Sequence, residues 1–117
     1  MDMQEVVGEN YRVSYDPMLA VFVFEGSLRL SSVTEYSPIA DLLDGAIAQD
    51  TSTITLNLKS LEFLNSSGIS MLSKFVINIR KKKTVQIIVK GSHEIPWQSK
   101  SLKNLQRLMP GLELEID

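Results

Sequence analysis

Two adjacent serines and a glycine stand where a helix is predicted to begin. Ser66, Ser67 and Gly68 follow an apolar run at residues 54–58 and precede an amphipathic segment. The first turn of a helix offers free backbone N–H groups and the positive end of the helix dipole, which together stabilise a phosphate. A serine hydroxyl at this place is therefore a candidate for reversible phosphorylation. Judged by residue type alone, Ser-Ser-Gly is more often a helix cap and a tight turn.

The other residue types exclude several kinds of active site. The chain has no cysteine, so disulfides, thiolate metal sites and thiol catalysis are excluded. Its single histidine, His93, lies in a predicted loop and is expected to be solvated rather than catalytic. The sequence contains neither a G-x-S-x-G nucleophile elbow nor a phosphate-binding loop of the P-loop type. We therefore expect no enzyme activity, no metal and no cofactor.

The predicted strand ends carry the wrong residues for a receiver domain. Such a domain needs a cluster of acidic side chains there, whereas this chain has Asn57, Lys59 and Lys90. In an open sheet with parallel strands, ligands bind outside the carboxyl ends of the strands. The loop at residues 59–68 leaves such an end, which places the two serines where this architecture exposes function.

Two further features each have two interpretations. Residues 80–83, Arg-Lys-Lys-Lys, end the second predicted helix. They either complement the helix dipole and aid solubility, or form a docking patch for an acidic partner. Trp97 is either an interface anchor or a partly buried core residue.

Length and composition fit one ordinary domain. The chain has 117 residues, 44% of them hydrophobic, which is enough for a core. Its formal net charge of −2 gives no electrostatic case for binding nucleic acid. No apolar run is long enough to span a bilayer, and the first residues do not resemble a signal peptide. We expect an apparently complete chain that is soluble, cytoplasmic and not inserted in a membrane.

The chain begins with a predicted hairpin. Residues 1–10 are polar and are expected to form a flexible N-terminus, with a single domain over 11–117. Strands are predicted at 11–15 and 19–25, joined by a turn at Asp16-Pro17. Because residues 19–24 are apolar at nearly every position, the second strand is expected to be central and buried on both faces.

Helices and strands then alternate. Ser32 and Glu35 match a capping box, but a proline at residue 38 would lie inside that helix, so we favour Ser37 as the cap and Pro38 as the first helical residue. Further helices are predicted at about 67–81 and 96–109, and strands at 54–58, 85–89 and 112–116, the last an edge strand. This alternation predicts an α/β fold: a mixed, mostly parallel sheet with helices packed on it.

Residues 54–69, ITLNLKSLEFLNSSGI, closely resemble the signature of the STAS domain, which bacterial anti-sigma-factor antagonists typify. The likeness extends in element order over residues 11–117. The resemblance implies that the second hydroxyl residue, Ser67, is the one phosphorylated. It also implies a partner-binding surface, which comprises Asn65, Ser66, Ser67, Gly68 and Ile69. Asn65 replaces the aspartate of the family signature and keeps its shape without its charge.

The resemblance also implies a partner-switching function in signal transduction and transcription regulation. The unphosphorylated domain would bind an ATP-dependent serine kinase that is also an anti-sigma factor. Phosphorylation would release it, and a metal-dependent serine phosphatase would reset the switch. Two alternatives stay open: a constitutive interaction or scaffold module in which Ser67 is only a cap, and a domain that binds a nucleotide or another small molecule.

Two structural expectations follow from this interpretation. Residues 66–68 should be exposed at the start of the second helix. Gly68 should let a partner approach the backbone closely, so a bulky residue there should weaken binding without unfolding the domain.

Overall fold

A single mixed sheet organises the computed structural model, which describes residues 4–49, 52–82 and 84–117. Nine elements follow one another along the chain: β1 (Gln4–Val7), β2 (Tyr11–Asp16), β3 (Val21–Leu28), α1 (Val33–Ile47), β4 (Thr53–Leu64), α2 (Ser66–Lys82), β5 (Gln86–Gly91), α3 (Gln98–Leu108) and β6 (Glu113–Ile116). The strands lie in the sheet in the same order as in the sequence. The first two pairs are antiparallel and the other three are parallel, which confirms the predicted fold class and the hairpin of β2 and β3.

The core lies between the sheet and the helices. Each helix joins two neighbouring parallel strands, and each connection moves across the sheet in the same direction. Because such connections are right-handed, all three helices lie on one face of the sheet. Large apolar side chains alternate toward that face, and Phe22, Leu56 and Val89 on three adjacent strands are fully buried. The ring of Phe22 meets Phe75 of α2 edge-on, with centroids 6.2 Å apart.

Within the described residues, no helix covers the opposite face of the sheet. Val21, Val23, Thr55 and Ile88 point toward it and are only half-buried. The expectation that β3 is buried on both faces is therefore wrong. The apolar run in β3 cannot reveal this, because coverage of the second face depends on the direction in which the crossovers step.

The N-terminal segment contributes an edge strand. Gln4 pairs with Tyr15 and Val7 pairs with Arg12, so the expectation that residues 1–10 are flexible is wrong for Gln4–Val7. Residues 1–3 lie outside the described residues. The physical reason is that β2 would otherwise expose a row of unpaired backbone groups, which β1 satisfies. Val6 also packs against the core from this strand.

The first helix begins with the capping box. Ser32 is its N-cap and its hydroxyl accepts from the Glu35 N–H at 3.3 Å. The Glu35 carboxylate in turn accepts from the Ser31 N–H at 3.0 Å and from its hydroxyl at 2.9 Å. Pro38 lies inside the helix, so the favoured cap at Ser37 is wrong. These hydrogen bonds and the buried apolar face of α1 offset the cost of an interior proline.

The fourth strand extends beyond its predicted end. It continues to Leu64 and stays paired with β3 as far as Leu28, although residues 59–64 were expected to form a loop. The alternation breaks after Leu58, and the next buried residues, Leu61 and Leu64, are spaced three apart. A periodicity-two pattern therefore misses this half of the strand.

The capping carboxylate makes a pH-dependent contribution to stability. Hydrogen bonds from Ser31 hold the pKa of Glu35 below its ordinary value of 4.5. A carboxyl whose pKa is lower in the folded state stabilises the fold above its unfolded pKa, and this is lost as the pH falls through the folded pKa. We expect Glu35→Gln to melt below wild type at about pH 7, with the difference shrinking below about pH 4.5. Thermal melts across pH measure this.

Ser31→Ala is the matched variant, because it removes a donor to the same carboxylate. It should produce a smaller loss in the same pH range. A melting-temperature difference for Glu35→Gln that is constant across pH would contradict the capping interpretation.

Candidate functional site

Asn65 is the residue that caps α2. Its Oδ1 accepts from the Gly68 N–H at 3.0 Å, and its backbone carbonyl accepts from the Ile69 N–H at 3.0 Å. Ser66 and Ser67 therefore occupy the first and second positions of the helix rather than its cap. With the Gly68 and Ile69 N–H groups already bonded, the N–H groups of Ser66 and Ser67 have no partner within the helix.

The Asn65 side chain also connects α2 to the segment before it. Its Oδ1 accepts a second hydrogen bond, from the Tyr36 hydroxyl at 2.7 Å, and its Nδ2 donates to the Leu30 carbonyl at 2.7 Å. Burial raises the pKa of Tyr36, which keeps its hydroxyl protonated as a donor. An aspartate could accept both hydrogen bonds but could not donate to Leu30. Asn65 therefore supplies a donor that an aspartate at this position would lack.

Gly68 packs inside the domain. It is buried, and a Cβ built on it would lie 2.2 Å from Leu64 Cδ1 and 2.8 Å from the Tyr36 hydroxyl. The expectation that Gly68 is exposed is therefore wrong, and its packing argues against a bulky residue there leaving the fold intact. The glycine is needed because Leu64 and Tyr36 close over the first turn of α2.

The two serines differ in their surroundings. Ser66 is exposed, whereas Ser67 is half-buried and lines a groove between α1 and α2. Ile69 is also half-buried, and Asn65 is half-buried with its amide directed inward. Of the five residues expected to bind a partner, Ser66, Ser67 and Ile69 thus reach the surface substantially. Asn65 and Gly68 shape that surface from beneath.

The groove beside Ser67 has a volume of about 150 Å³. Its lining is mainly apolar, from residues such as Ala40 of α1 and Phe75 of α2. Asp44 and Lys74 contribute the charged groups. Ser67 is therefore part of a concave surface. At such a surface, a change in a side chain as small as one hydroxyl group alters binding.

Phe63 and Arg29 lie on the same edge of the sheet. The Arg29 guanidinium stands 4.5 Å from the centre of the Phe63 ring, which is 37% exposed. Leu61 is fully buried, whereas Phe63 forms an exposed cation–π contact with Arg29.

Gln98 is an important residue that the sequence reasoning missed. It is fully buried, and its Nε2 donates to the carbonyls of Leu58 at 2.6 Å and Leu61 at 3.0 Å. Its Oε1 accepts from the Ser92 N–H at 2.7 Å. These bonds satisfy β4 where it extends past its pairing with β5. No local pattern marks a glutamine for this role.

Trp97 has a structural role beside it. Its Nε1–H donates to the Leu61 carbonyl at 3.2 Å, and its ring packs half-buried against the core. The core interpretation of Trp97 therefore accounts for its contacts.

The basic residues at the end of α2 hold the ends of the other helices. Arg80 donates to the carbonyl of Leu108 at 3.1 Å, and Lys82 donates to that of Ile47 at 3.2 Å. Leu108 and Ile47 are the last residues of α3 and α1. These contacts favour a helix-dipole role for Arg80 and Lys82, directed at the C-terminal ends of α3 and α1 rather than at that of α2. Lys83 lies outside the described residues.

The described residues 4–49, 52–82 and 84–117 contain no group of three or more acidic or histidine side chains that could hold a metal ion. His93 is exposed. No helix in this part of the chain has both the length and the hydropathy needed to cross a membrane.

Solved structures with the same fold are regulatory proteins and an enzyme activator. Apo-SiaC of Pseudomonas aeruginosa superposes with a TM-score of 0.76 at 11% identity, over 100% of this chain and 99% of that one. A chain in the crystal structure of diguanylate cyclase SiaD with its activator SiaC gives 0.75 at 12%, over 97% of each chain. An anti-sigma factor antagonist from Mycobacterium paratuberculosis gives 0.62 at 17%, over 97% of this chain and 86% of that one.

These likenesses establish the fold. The resemblance to anti-sigma-factor antagonists, inferred from residues 54–69, is confirmed at the level of architecture. No protein-family model matches the sequence, and no curated protein matches it.

The donor role of Asn65 can be tested by a near-isosteric change. Asn65→Asp removes the bond to Leu30 and sets a carboxylate against a carbonyl, so we expect it to lower the free energy of unfolding by about 1–3 kcal/mol. Asn57→Asp is the control, because the Asn57 side chain accepts a hydrogen bond through Oδ1, from the Lys59 N–H at 3.1 Å. An aspartate can accept the same bond. It should be nearly neutral. Equal losses for both variants in urea melts would contradict the role given to Asn65.

The packing of Gly68 can be tested with a matched glycine. Gly68→Ala forces a methyl group against Leu64 and Tyr36 and should cost about 1–3 kcal/mol of unfolding free energy. Gly45 lies in α1 with nothing within 4 Å of a built Cβ. Gly45→Ala should therefore stabilise the fold by about 0.5–1 kcal/mol. A neutral Gly68→Ala would show that the closure over α2 is loose.

Proposed function

We propose that this protein is a protein-binding regulator whose affinity for its partner is set by phosphorylation of Ser67. Unphosphorylated protein binds a serine kinase or an anti-sigma-factor-like protein. That kinase phosphorylates Ser67 and releases the complex, and a metal-dependent serine phosphatase restores the bound state. The protein itself has no enzymatic role in this scheme and acts in the bacterial cytoplasm.

The observation that carries this proposal is the position of Ser67. It is the second residue of α2, half-buried at the mouth of a groove, next to backbone N–H groups without a partner in the helix. A phosphate would bring about −1.5 to −2 charges at neutral pH. At the N-terminus of a helix such a charge is favourable by about 0.3–1 kcal/mol. The domain therefore tolerates the phosphate, and the change is expressed at the surface that a partner contacts.

Two features support Ser67 over Ser66. The STAS resemblance assigns the phosphate to the second hydroxyl residue of the signature. Ser66 is exposed away from the groove, whereas Ser67 lines it. A phosphate on Ser67 therefore alters a concave binding surface directly.

The structural neighbours support a protein partner. SiaC is the activator in a complex with a diguanylate cyclase, and the mycobacterial protein is an antagonist of an anti-sigma factor. Activation of a signalling enzyme is therefore a second candidate function, favoured by the high TM-score to SiaC. In both functions the regulator acts by binding a protein, and Ser67 controls that binding.

The phosphorylation site can be tested with purified protein, the cognate kinase and ATP. Mass spectrometry should place a single phosphate on Ser67, and protein from native cells should carry it at the same site. Ser66→Ala should remain a substrate, whereas Ser67→Ala should not. Phosphate on Ser66 would contradict the assignment.

Binding provides the second measurement. Ser67→Asp should lower affinity for the kinase at least about tenfold, which corresponds to about 1.4 kcal/mol, with an unchanged melting temperature. Ser66→Asp carries the same charge outside the groove and should lower the affinity by a smaller factor than Ser67→Asp. Full binding by Ser67→Asp would favour a constitutive scaffold. Retention of nucleotide in equilibrium dialysis would favour the small-molecule alternative.

A further inference from the structure

The groove between α1 and α2 has the size of one apolar side chain. Its volume is about 150 Å³, and its floor consists of Ala40, Leu43, Met71 and Phe75. Leu43 and Phe75 are almost fully buried, so the floor rests directly on the core and is held in place by it. Cavities of about this volume accommodate a ring the size of benzene. A phenylalanine or leucine side chain therefore fits.

The rim of the groove carries one acid and one base. Asp44 belongs to α1 and Lys74 to α2, and both line the opening. The ion pairs in the described part of the chain join Arg12 to Glu5 and Lys59 to Asp117, so neither rim charge is paired there. A segment with a basic and an acidic residue on either side of its apolar residue would complement both charges. A uniformly anionic surface, such as a membrane or a nucleic acid, would meet Asp44 unfavourably.

The shape of the groove favours a helix as its occupant. It runs between two adjacent helices, and an amphipathic helix can lay its apolar face into a hydrophobic groove of this kind. Recognition of an amphipathic helix commonly depends on a few apolar anchors at helical spacing. Ser67 stands at the start of α2, and Met71 and Phe75, four and eight residues further on, continue the same face.

We propose that this groove is the docking site for an amphipathic helix of the partner protein, which inserts one phenylalanine- or leucine-sized side chain between Asp44 and Lys74. The inference rests on the proposed function, because it identifies the surface that Ser67 controls. A phosphate on Ser67 would place about −1.5 to −2 charges at the mouth of the groove. Closing an apolar side chain over it would strip water from that phosphate, which opposes binding.

The test uses a displayed library of short helical peptides in an alanine-rich scaffold, with one apolar, one basic and one acidic position varied. Selected peptides are measured by fluorescence anisotropy against the full chain. Ala40→Phe fills the floor of the groove and should weaken binding at least about tenfold. Ala48→Phe is the matched control, since Ala48 is exposed at the end of α1 and outside the groove. It should bind within about twofold of wild type.

A charge exchange keeps the test informative if Ala40→Phe does not fold. Asp44→Lys should weaken the binding of the selected peptides. Replacing the basic residue of these peptides with glutamate should restore their affinity for the Asp44→Lys chain. Peptides that bind Ala40→Phe or Asp44→Lys as well as wild type, or a library that yields no binder, would overturn the proposal. A different result would also overturn the proposal: no peptide binds, and the chain forms a concentration-dependent dimer that Ala40→Phe abolishes. A second copy of the chain would then be the occupant of the groove.

The groove proposal and the proposal of phosphorylation control are contradicted by different results. If Ser67→Asp releases the kinase while Ala40→Phe leaves both kinase and peptide binding intact, phosphorylation control stands and the groove proposal is wrong. If Ala40→Phe abolishes peptide and kinase binding while Ser67→Asp leaves both unchanged, the groove stands and phosphorylation control is wrong.

Discussion

The side-chain amide of Asn65 is the interaction on which the site depends. It accepts from the Tyr36 hydroxyl and the Gly68 N–H, and it donates to the Leu30 carbonyl. These three bonds join the end of β3, the first turns of α1 and the first turn of α2. A partly buried amide with both acceptor positions and one N–H used in this way favours one arrangement, because an alternative leaves these polar groups unsatisfied. The spacing of α1 and α2, and with it the groove beside Ser67, follows from that arrangement.

The polarity of the three helices gives the domain two electrostatically different ends. All three begin at the carboxyl edge of the parallel strands and finish at the opposite edge, where Arg80 and Lys82 bond to the last carbonyls of α3 and α1. Arg80 lies thirteen positions after Ser67 in α2, which is roughly 20 Å along the helix axis. That distance is about twice the Debye length at physiological ionic strength. A phosphate on Ser67 would therefore interact with the helix N-terminus and the groove, and hardly at all with the cluster of cations.

The sequence could predict the features that short-range residue patterns encode. The apolar periodicity of α2 and the capping box at Ser32 were visible, as was the likeness of residues 54–69 to a known signature. The role of Asn65 was not, because its bond to Leu30 joins residues 35 positions apart. Gly68 was misjudged because the packing of Leu64 and of Tyr36, a residue of α1, against this position depends on the tertiary structure. The open face of the sheet and the strand at Gln4–Val7 follow from topology, which no single segment encodes.

The amide of Asn65, which stands where the STAS signature has an aspartate, has a consequence for any charge-based control at this edge. A carboxylate in that position would leave the first turn of α2 anionic before any modification. With an amide there, the first turn carries no charged side chain, and its unpaired N–H groups belong to Ser66 and Ser67. Addition of a phosphate would then change the turn from neutral to strongly anionic. The same amide that holds the groove in shape would thus also keep the unmodified site neutral, as burial of an apolar side chain next to it requires.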